Sequence, residues 1–156
     1  MDPVYMESRR LLPRNLSVLL AVTLIAAWAS ILVTKMFYYD GIPDIALAVC
    51  GVVFAATIIL CFVLRFDITV YEDRIEIFYI YKTTVITKPE IIDTRVGELN
   101  LIKNYSAWNL KGVRYRTCSA IGEDMGIGLK VTGKRVLYLS SKDPEAIASH
   151  LPKESE

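Results

Sequence analysis

The chain has 156 residues, a hydrophobic fraction of 53% and a formal net charge of +1. From Phe66 to Glu156 it carries 13 Lys/Arg against 13 Asp/Glu, without the basic excess of a nucleic-acid binder. Three cysteines lacking metal-ligand spacing and a single His150 argue against a zinc site, a disulfide framework or any cofactor.

Residues 1–15 read as a cytoplasmic N-terminal segment containing Arg9, Arg10 and Arg14. Two apolar runs follow, Leu16 to Val33 and Ile45 to Leu64, neither with a charged residue. A helix crossing a hydrocarbon core about 30 Å thick needs roughly 20 apolar residues. Residues 16–64 are therefore predicted to form a two-helix transmembrane hairpin. Arginines flank its two ends, whereas the turn carries Lys35 against Asp40 and Asp44. The positive-inside rule then places both termini in the cytoplasm of a multi-pass cell-membrane protein. Ala27-Trp28-Ala29 resembles a signal-peptidase site, but the apolar run continues through Val33, which favours an uncleaved helix. The pairs Ala26/Ser30 and Gly51/Ala55 have small-xxx-small spacing, which lets helix backbones approach closely. No ionisable residue lies inside either run, which argues against a transporter or pump. Tyr38 and Tyr39 suit an interfacial aromatic belt.

After Leu64 the pattern changes to short alternating stretches. Ile68–Tyr71, Arg74–Ile80, Thr84–Thr87, Ile91–Leu99, Val113–Arg116, Ile127–Thr132 and Arg135–Leu139 read as seven strands, separated by turn residues. In the fourth, Ile92, Thr94 and Val96 are predicted to share a face. In the fifth, Val113 and Tyr115 are predicted to lie opposite Arg114 and Arg116. Asp143-Pro144-Glu145 is a helix start, with Asp as N-cap and Pro at the first position. Ile147 and Leu151 share that helix's apolar face, and Pro152 stops it. The domain spans residues 65–152, with 153–156 as a tail.

Seven antiparallel strands and one C-terminal helix make a small sandwich or barrel. In this order, the chain resembles membrane-anchored bacterial proteins with a pleckstrin-homology-like (PH-like) domain, in which a two-helix hairpin precedes such a domain. The matching stretches are Tyr105-Ser106-Ala107-Trp108, Gly112-Val113-Arg114, Gly126-Ile127-Gly128-Leu129 and Ser140-Ser141-Lys142-Asp143-Pro144-Glu145. The family commonly joins its Trp directly to Gly-aliphatic-Arg, whereas here Asn109-Leu110-Lys111 intervene. The resemblance implies a fold and a membrane-scaffold role and transfers no catalytic residue.

The chain offers little for catalysis. His150, near the end of the last helix, reads as a surface or capping residue. Cys118 reads as a buried strand-end cysteine, and Gly122-x-x-x-Gly126-x-Gly128 as a turn rather than a phosphate loop. Glu123 and Asp124 read as solvated acids. Trp108 and Tyr105 are candidates for an interaction surface or for a lid on the sandwich. Arg114, Arg116, Lys130, Lys134 and Arg135 could form a basic surface, although the first hairpin turn, Glu72-Asp73, is acidic. Only Arg65 and Phe66 separate the second apolar run from the first strand, so the domain is tethered closely to the headgroups.

The expectation is a non-enzymatic membrane protein. It would present its domain for protein–protein interaction, as a homo-oligomer or with another membrane protein. The alternatives are a lipid- or ligand-sensing module, or an accessory subunit of a transporter or protease. Its partners would be the bilayer and protein, with no nucleic acid.

Overall fold

The computed structural model describes residues 2–99 and 112–153. The chain divides into two units, Met1–Leu11 with Arg65–Glu156, and Leu12–Leu64. The helical unit is thus an insertion into a discontinuous β domain.

The helical unit holds α1 (Arg14–Phe37) and α2 (Asp44–Val63). A proline, Pro13 or Pro43, immediately precedes each helix, where its missing N–H costs nothing. With Leu20 and Leu32 at its sides, the shielded face of α1 is centred on Ser17, Ala21, Leu24, Trp28, Ile31 and Lys35. Their spacing alternates between three and four, the phase of a knobs-into-holes seam. Leu47, Gly51, Phe54, Ile58 and Cys61 repeat it on α2. The Trp28 indole N–H donates to Leu47 O at 3.3 Å, and Ser17 Oγ donates to Cys61 O at 3.2 Å. At the turn Lys35 pairs with Asp44.

The outward faces of these helices are apolar. Leu19, Val22, Val49, Val52 and Val53 are all more than half exposed. Both helices are long and apolar enough to cross a membrane, and only 6% of each span is buried. Outward hydroxyls turn back on their own helix: Ser30 Oγ donates to Ala26 O and Thr57 Oγ1 to Val53 O, each at 2.8 Å.

In the β domain, the described residues form eight strands in two four-stranded sheets. The first is a meander of β1 (Tyr5–Arg10), β2 (Arg65–Val70), β3 (Arg74–Tyr79) and β4 (Lys82–Thr87). The second has the order β5-β7-β8-β6, from β5 (Ile91–Glu98), β6 (Arg114–Cys118), β7 (Met125–Val131) and β8 (Arg135–Ser140). A short helix, α3 (Pro144–Ser149), packs against β5 and β7. Asp143 caps it, its Oδ1 accepting from Ala146 N at 3.1 Å. Ile147 and Leu151 are buried.

Alternation builds the core. Phe66, Ile68, Val70, Ile75, Ile77 and Ile86 are buried from the first sheet. Ile127, Leu129, Val131, Leu137 and Leu139 are buried from the second. Residues that skip one position along a strand share a face, so these form two continuous apolar layers. Gly126 marks the tightest approach: an added Cβ would lie 2.1 Å from Leu139 O and 2.7 Å from Leu99 Cδ2.

Three expectations change. Residues 1–15 are not merely a terminal segment, because Tyr5–Arg10 pairs along its whole length with Arg65–Val70. The strands are not all antiparallel, because β6 runs parallel to β8. The connection at 119–124 carries the chain across the end of β8, where Ala120 N donates to Ser140 Oγ at 2.9 Å. A bulge between Ile91 and Asp93 takes Ile92 off the face it was expected to share, while Thr94 and Val96 keep that face opposite Leu129 and Ile127. Ile91 and Asp93 are buried and Ile92 is 40% exposed. In β6 the expected alternation holds: Val113 packs against Val136 and Tyr138 and Tyr115 stacks on Tyr138, while Arg116 and Cys118 turn to the other face.

Candidate functional site

Two clusters of polar side chains stand out in the β domain. The first closes β1 onto the rest of the sandwich. Tyr5, Glu7 and Arg9 alternate with the more exposed Met6, Ser8 and Arg10, so the inward face of this strand is polar. Glu7 Oε2 accepts from Ser141 Oγ at 2.7 Å and from Tyr5 Oη at 3.3 Å. Glu7 Oε1 accepts from Lys142 N at 3.0 Å and lies 3.0 Å from Arg9 Nε. Arg9 Nη2 donates to Ser140 O at 2.5 Å, and Nη1 pairs with Glu123. Burial pushes the Arg9 guanidinium below its ordinary value, opposed by the charges of Glu7 and Tyr5. Burial, then Glu7, pushes the Tyr5 hydroxyl up. A buried charge is tolerated when it is paired and hydrogen-bonded. Glu7 and Arg9 meet that condition by reaching the end of β8 and the 119–124 connection, and Tyr5 reaches Glu7 on its own strand.

The second cluster lies at the opposite sheet's edge. Arg114 and Arg135 are direct neighbours in the parallel β6–β8 register. Arg114 N donates to Lys134 O at 2.8 Å. Arg114, Lys134 and Arg135 are exposed. Arg116 does not join them: its Nη1 donates to Thr84 Oγ1 of β4 at 2.9 Å. Lys130 stands opposite Asp93 on β5. Arg135 Nη2 lies 3.5 Å from Glu90 Oε1. The described basic surface is therefore three residues wide and bordered by acids. Trp108 and Tyr105 lie outside the described residues.

The remaining candidates separate. Gly51 is at the helix seam, where an added Cβ would lie 3.0 Å from Trp28 Nε1. Ala55 lines an apolar groove of about 550 Å³ with Leu24, Trp28 and Gly51. Ala26 and Ser30 face outward, because the seam follows Leu24, Trp28 and Ile31 instead. The indole of Trp28, rather than a small residue, occupies the space that Gly51 leaves.

Cys118 is buried at the end of β6, and burial pushes its thiol up against the lowering effect of Arg116. A thiol so held stays protonated and is a poor nucleophile. His150 is exposed at the C-cap of α3. Among the described residues, no three His, Cys, Asp or Glu converge as metal ligands. Glu123 is not simply solvated, since it pairs with Arg9.

Sequence reading missed the Glu7–Arg9 clasp and the exposed Ile80-Tyr81 turn between β3 and β4. An alternation of Tyr, Glu and Arg was the available signal for the first. An uninterrupted Phe78-to-Tyr81 run lacking turn residues was the signal for the second. Comparison with protein families, with curated proteins and with solved structures returns no match.

Proposed function

We propose that this chain is a non-enzymatic, two-span membrane protein that presents its β domain at the cytoplasmic face as a protein-interaction or self-assembly module. The observation that carries this reading is the insertion of α1 and α2 between two paired strands. Arg10 stands opposite Arg65 in the β1–β2 ladder. That pairing favours both ends of the helical hairpin emerging on one side of a membrane. The arginines at those ends favour the cytoplasmic side. The outward apolar faces, with their internally bonded hydroxyls, suit hydrocarbon, where an unsatisfied polar group costs several kcal/mol. Removing an N-terminal leader after Ala29 would also take away β1, which supports an uncleaved α1.

The PH-like reading is retained as part of this proposal, supported by two sheets and a C-terminal helix. The N-terminal strand and the parallel β6–β8 pair are additions to the simple strand order expected. Self-assembly would use strand edges, which offer unpaired backbone groups. Sizing of the intact protein in mild detergent, with in-cell crosslinking, tests the proposal. Oligomers or a stoichiometric membrane partner are the expected result. A strict monomer without crosslinked neighbours would remove it.

A second reading, an anion- or lipid-sensing module, rests on the convergence of Arg114, Lys134 and Arg135. It expects salt-sensitive binding to anionic vesicles that weakens when Arg114 and Arg135 are both replaced by Gln. Equal binding by that double variant would dismiss it.

A further inference from the structure

The β3–β4 hairpin ends in a two-residue turn, Ile80-Tyr81, since Tyr79 pairs with Lys82. Ile80 has φ of 62°, a left-handed conformation that is costly for a β-branched residue and ordinarily taken by glycine. Tyr81 is 85% exposed, and Ile80 is 36% exposed. A soluble turn would use Asn, Asp or Gly here.

The position of this turn explains its composition. Ile80 N donates to Arg65 O at 3.2 Å. Arg65 follows Leu64, the C-cap of α2. The 119–124 connection reaches the same end of the first sheet: Ile121 N donates to Leu11 O at 2.9 Å, and Tyr79 Oη to Ser119 O at 3.4 Å. Ile121 is 50% exposed. Exposed Ile80, Tyr81 and Ile121 thus share the end of the domain from which both helical connections leave. Arg10 and Arg65, exposed and opposite one another, are there too.

We propose that the Ile80-Tyr81 turn inserts into the lipid interface, with Ile121 beside it and Arg10 and Arg65 toward headgroup phosphates. The proposal rests on the membrane-spanning reading of α1 and α2. Tyrosine prefers the water–bilayer boundary because its ring is apolar and its hydroxyl is not. Isoleucine adds apolar area, and the arginines add attraction to anionic lipid. The turn becomes a further membrane contact, held by the Ile80 N to Arg65 O hydrogen bond beside the residue at which the chain re-enters the domain.

The test uses the full chain in phosphatidylcholine–phosphatidylglycerol vesicles, with Cys50, Cys61 and Cys118 replaced by Ala. A nitrobenzoxadiazole label is placed at Lys82→Cys, at Val53→Cys on α2, or at Thr132→Cys in the β7–β8 turn. The expected result is deep doxyl-lipid quenching at position 53. Position 82 should show shallow quenching with shielding from iodide, and position 132 should show iodide access alone. If position 53 is quenched but 82 behaves like 132, the insertion proposal falls and the spanning reading stands. If position 53 is not quenched by lipid, the spanning reading falls and takes this one with it. A second variant separates insertion from turn geometry. Ile80→Gly should raise the thermal midpoint while the lipid quenching at position 82 declines. A raised midpoint with unchanged quenching would overturn the proposal.

Discussion

The Arg9 guanidinium carbon lies 5.6 Å from the centroid of the Phe66 ring, its direct partner in the β1–β2 ladder. Phe66 is fully buried, and the Arg9 side chain is 5% exposed. This pair lies one step from Arg10 and Arg65, where the chain departs into the helices and returns. Arg9 thereby joins the first strand to the Ser140 carbonyl and to Glu123. Replacing it with methionine should preserve much of the packing over Phe66 but leave Glu7 and Glu123 without their cation. Removing one partner from a buried ion pair costs about 3–5 kcal/mol. Thermal melting of the intact protein in detergent should show a large loss for R9M. Adding E7Q and E123Q should recover part of it. An R9M midpoint equal to wild type would refute this account of the clasp.

The β domain should not fold as residues 65–156 alone. Without β1, the edge of β2 is exposed and Phe66 loses the side chain that covers it. A chain that joins residues 1–11 to 65–156 through a short Asn/Gly linker keeps the antiparallel β1–β2 pair, for which such turns are suited. Circular dichroism should give a cooperative melt for the joined chain. The version lacking residues 1–11 should be aggregated or non-cooperative. A cooperative melt at the same temperature for both would deny β1 its structural role.

The reason β1 escaped sequence reading lies in its inward residues. Strand recognition relies on apolar alternation, which works for Ile75 and Ile77 or for Leu137 and Leu139. Tyr5, Glu7 and Arg9 alternate just as strictly but face inward through ion pairs. Their partner strand begins only beyond the helical insertion. Arg9, with Arg10 and Arg14, also reads as a topological flank, although Arg9 is engaged within the domain. Strand identity was otherwise legible from β2 to β8. Strand partners were not, because alternation assigns faces and says nothing of neighbours, so the parallel β6–β8 pair was hidden. One bulged residue was enough to take Ile92 off the face it was expected to share with Thr94 and Val96. Of the candidate surface, the sequence placed Arg114 and Arg135 on neighbouring strands, as they are. It did not foresee that Arg116 would turn to Thr84.

Gly126 should tolerate no side chain. An alanine Cβ there would meet the backbone carbonyl of Leu139 at 2.1 Å, well inside contact distance, and the carbonyl belongs to a central strand. Overpacking of this kind costs about 1–3 kcal/mol where neighbours can shift, and β8 is held on both sides by β7 and β6. G126A should lower the thermal midpoint markedly. Gly133→Ala, in the β7–β8 turn, is strained differently: space is open around it, and its φ of 78° carries the penalty. Its loss should be smaller. The comparison fails if G133A is the more damaging of the two.

The helix seam should depend on Gly51 and be indifferent to Ser30. Leucine at position 51 would drive into the Trp28 indole, pushing it from Leu47 O. With Trp108 replaced by Phe, Trp28 fluorescence reports this seam during unfolding in mixed micelles. G51L should unfold at lower denaturing-detergent fraction, by about 1–3 kcal/mol. S30L, on the outward face, should leave the transition in place. Equal shifts from both would place the seam on Ala26 and Ser30 after all.

Acid should weaken the link between the two sheets through Glu90. Its carboxylate accepts from Thr87 N at 3.0 Å and Thr87 Oγ1 at 2.8 Å, with Arg135 at 3.5 Å. These bonds, the Thr87 backbone bond foremost, hold it below the usual glutamate value, which is about 4.3. A depressed folded value means the unfolded chain binds the proton more readily. The stabilisation is therefore fully present above the unfolded value and is lost as pH falls through the lower folded one. The group is at the surface, so the effect is modest and salt-sensitive. Melting profiles of wild type and E90Q should differ near neutral pH and converge in acid. T87V should narrow the gap by removing one hydroxyl donor while leaving the backbone bond. A constant gap between wild type and E90Q from neutral pH down through the acid range would exclude a role for the ionised carboxylate.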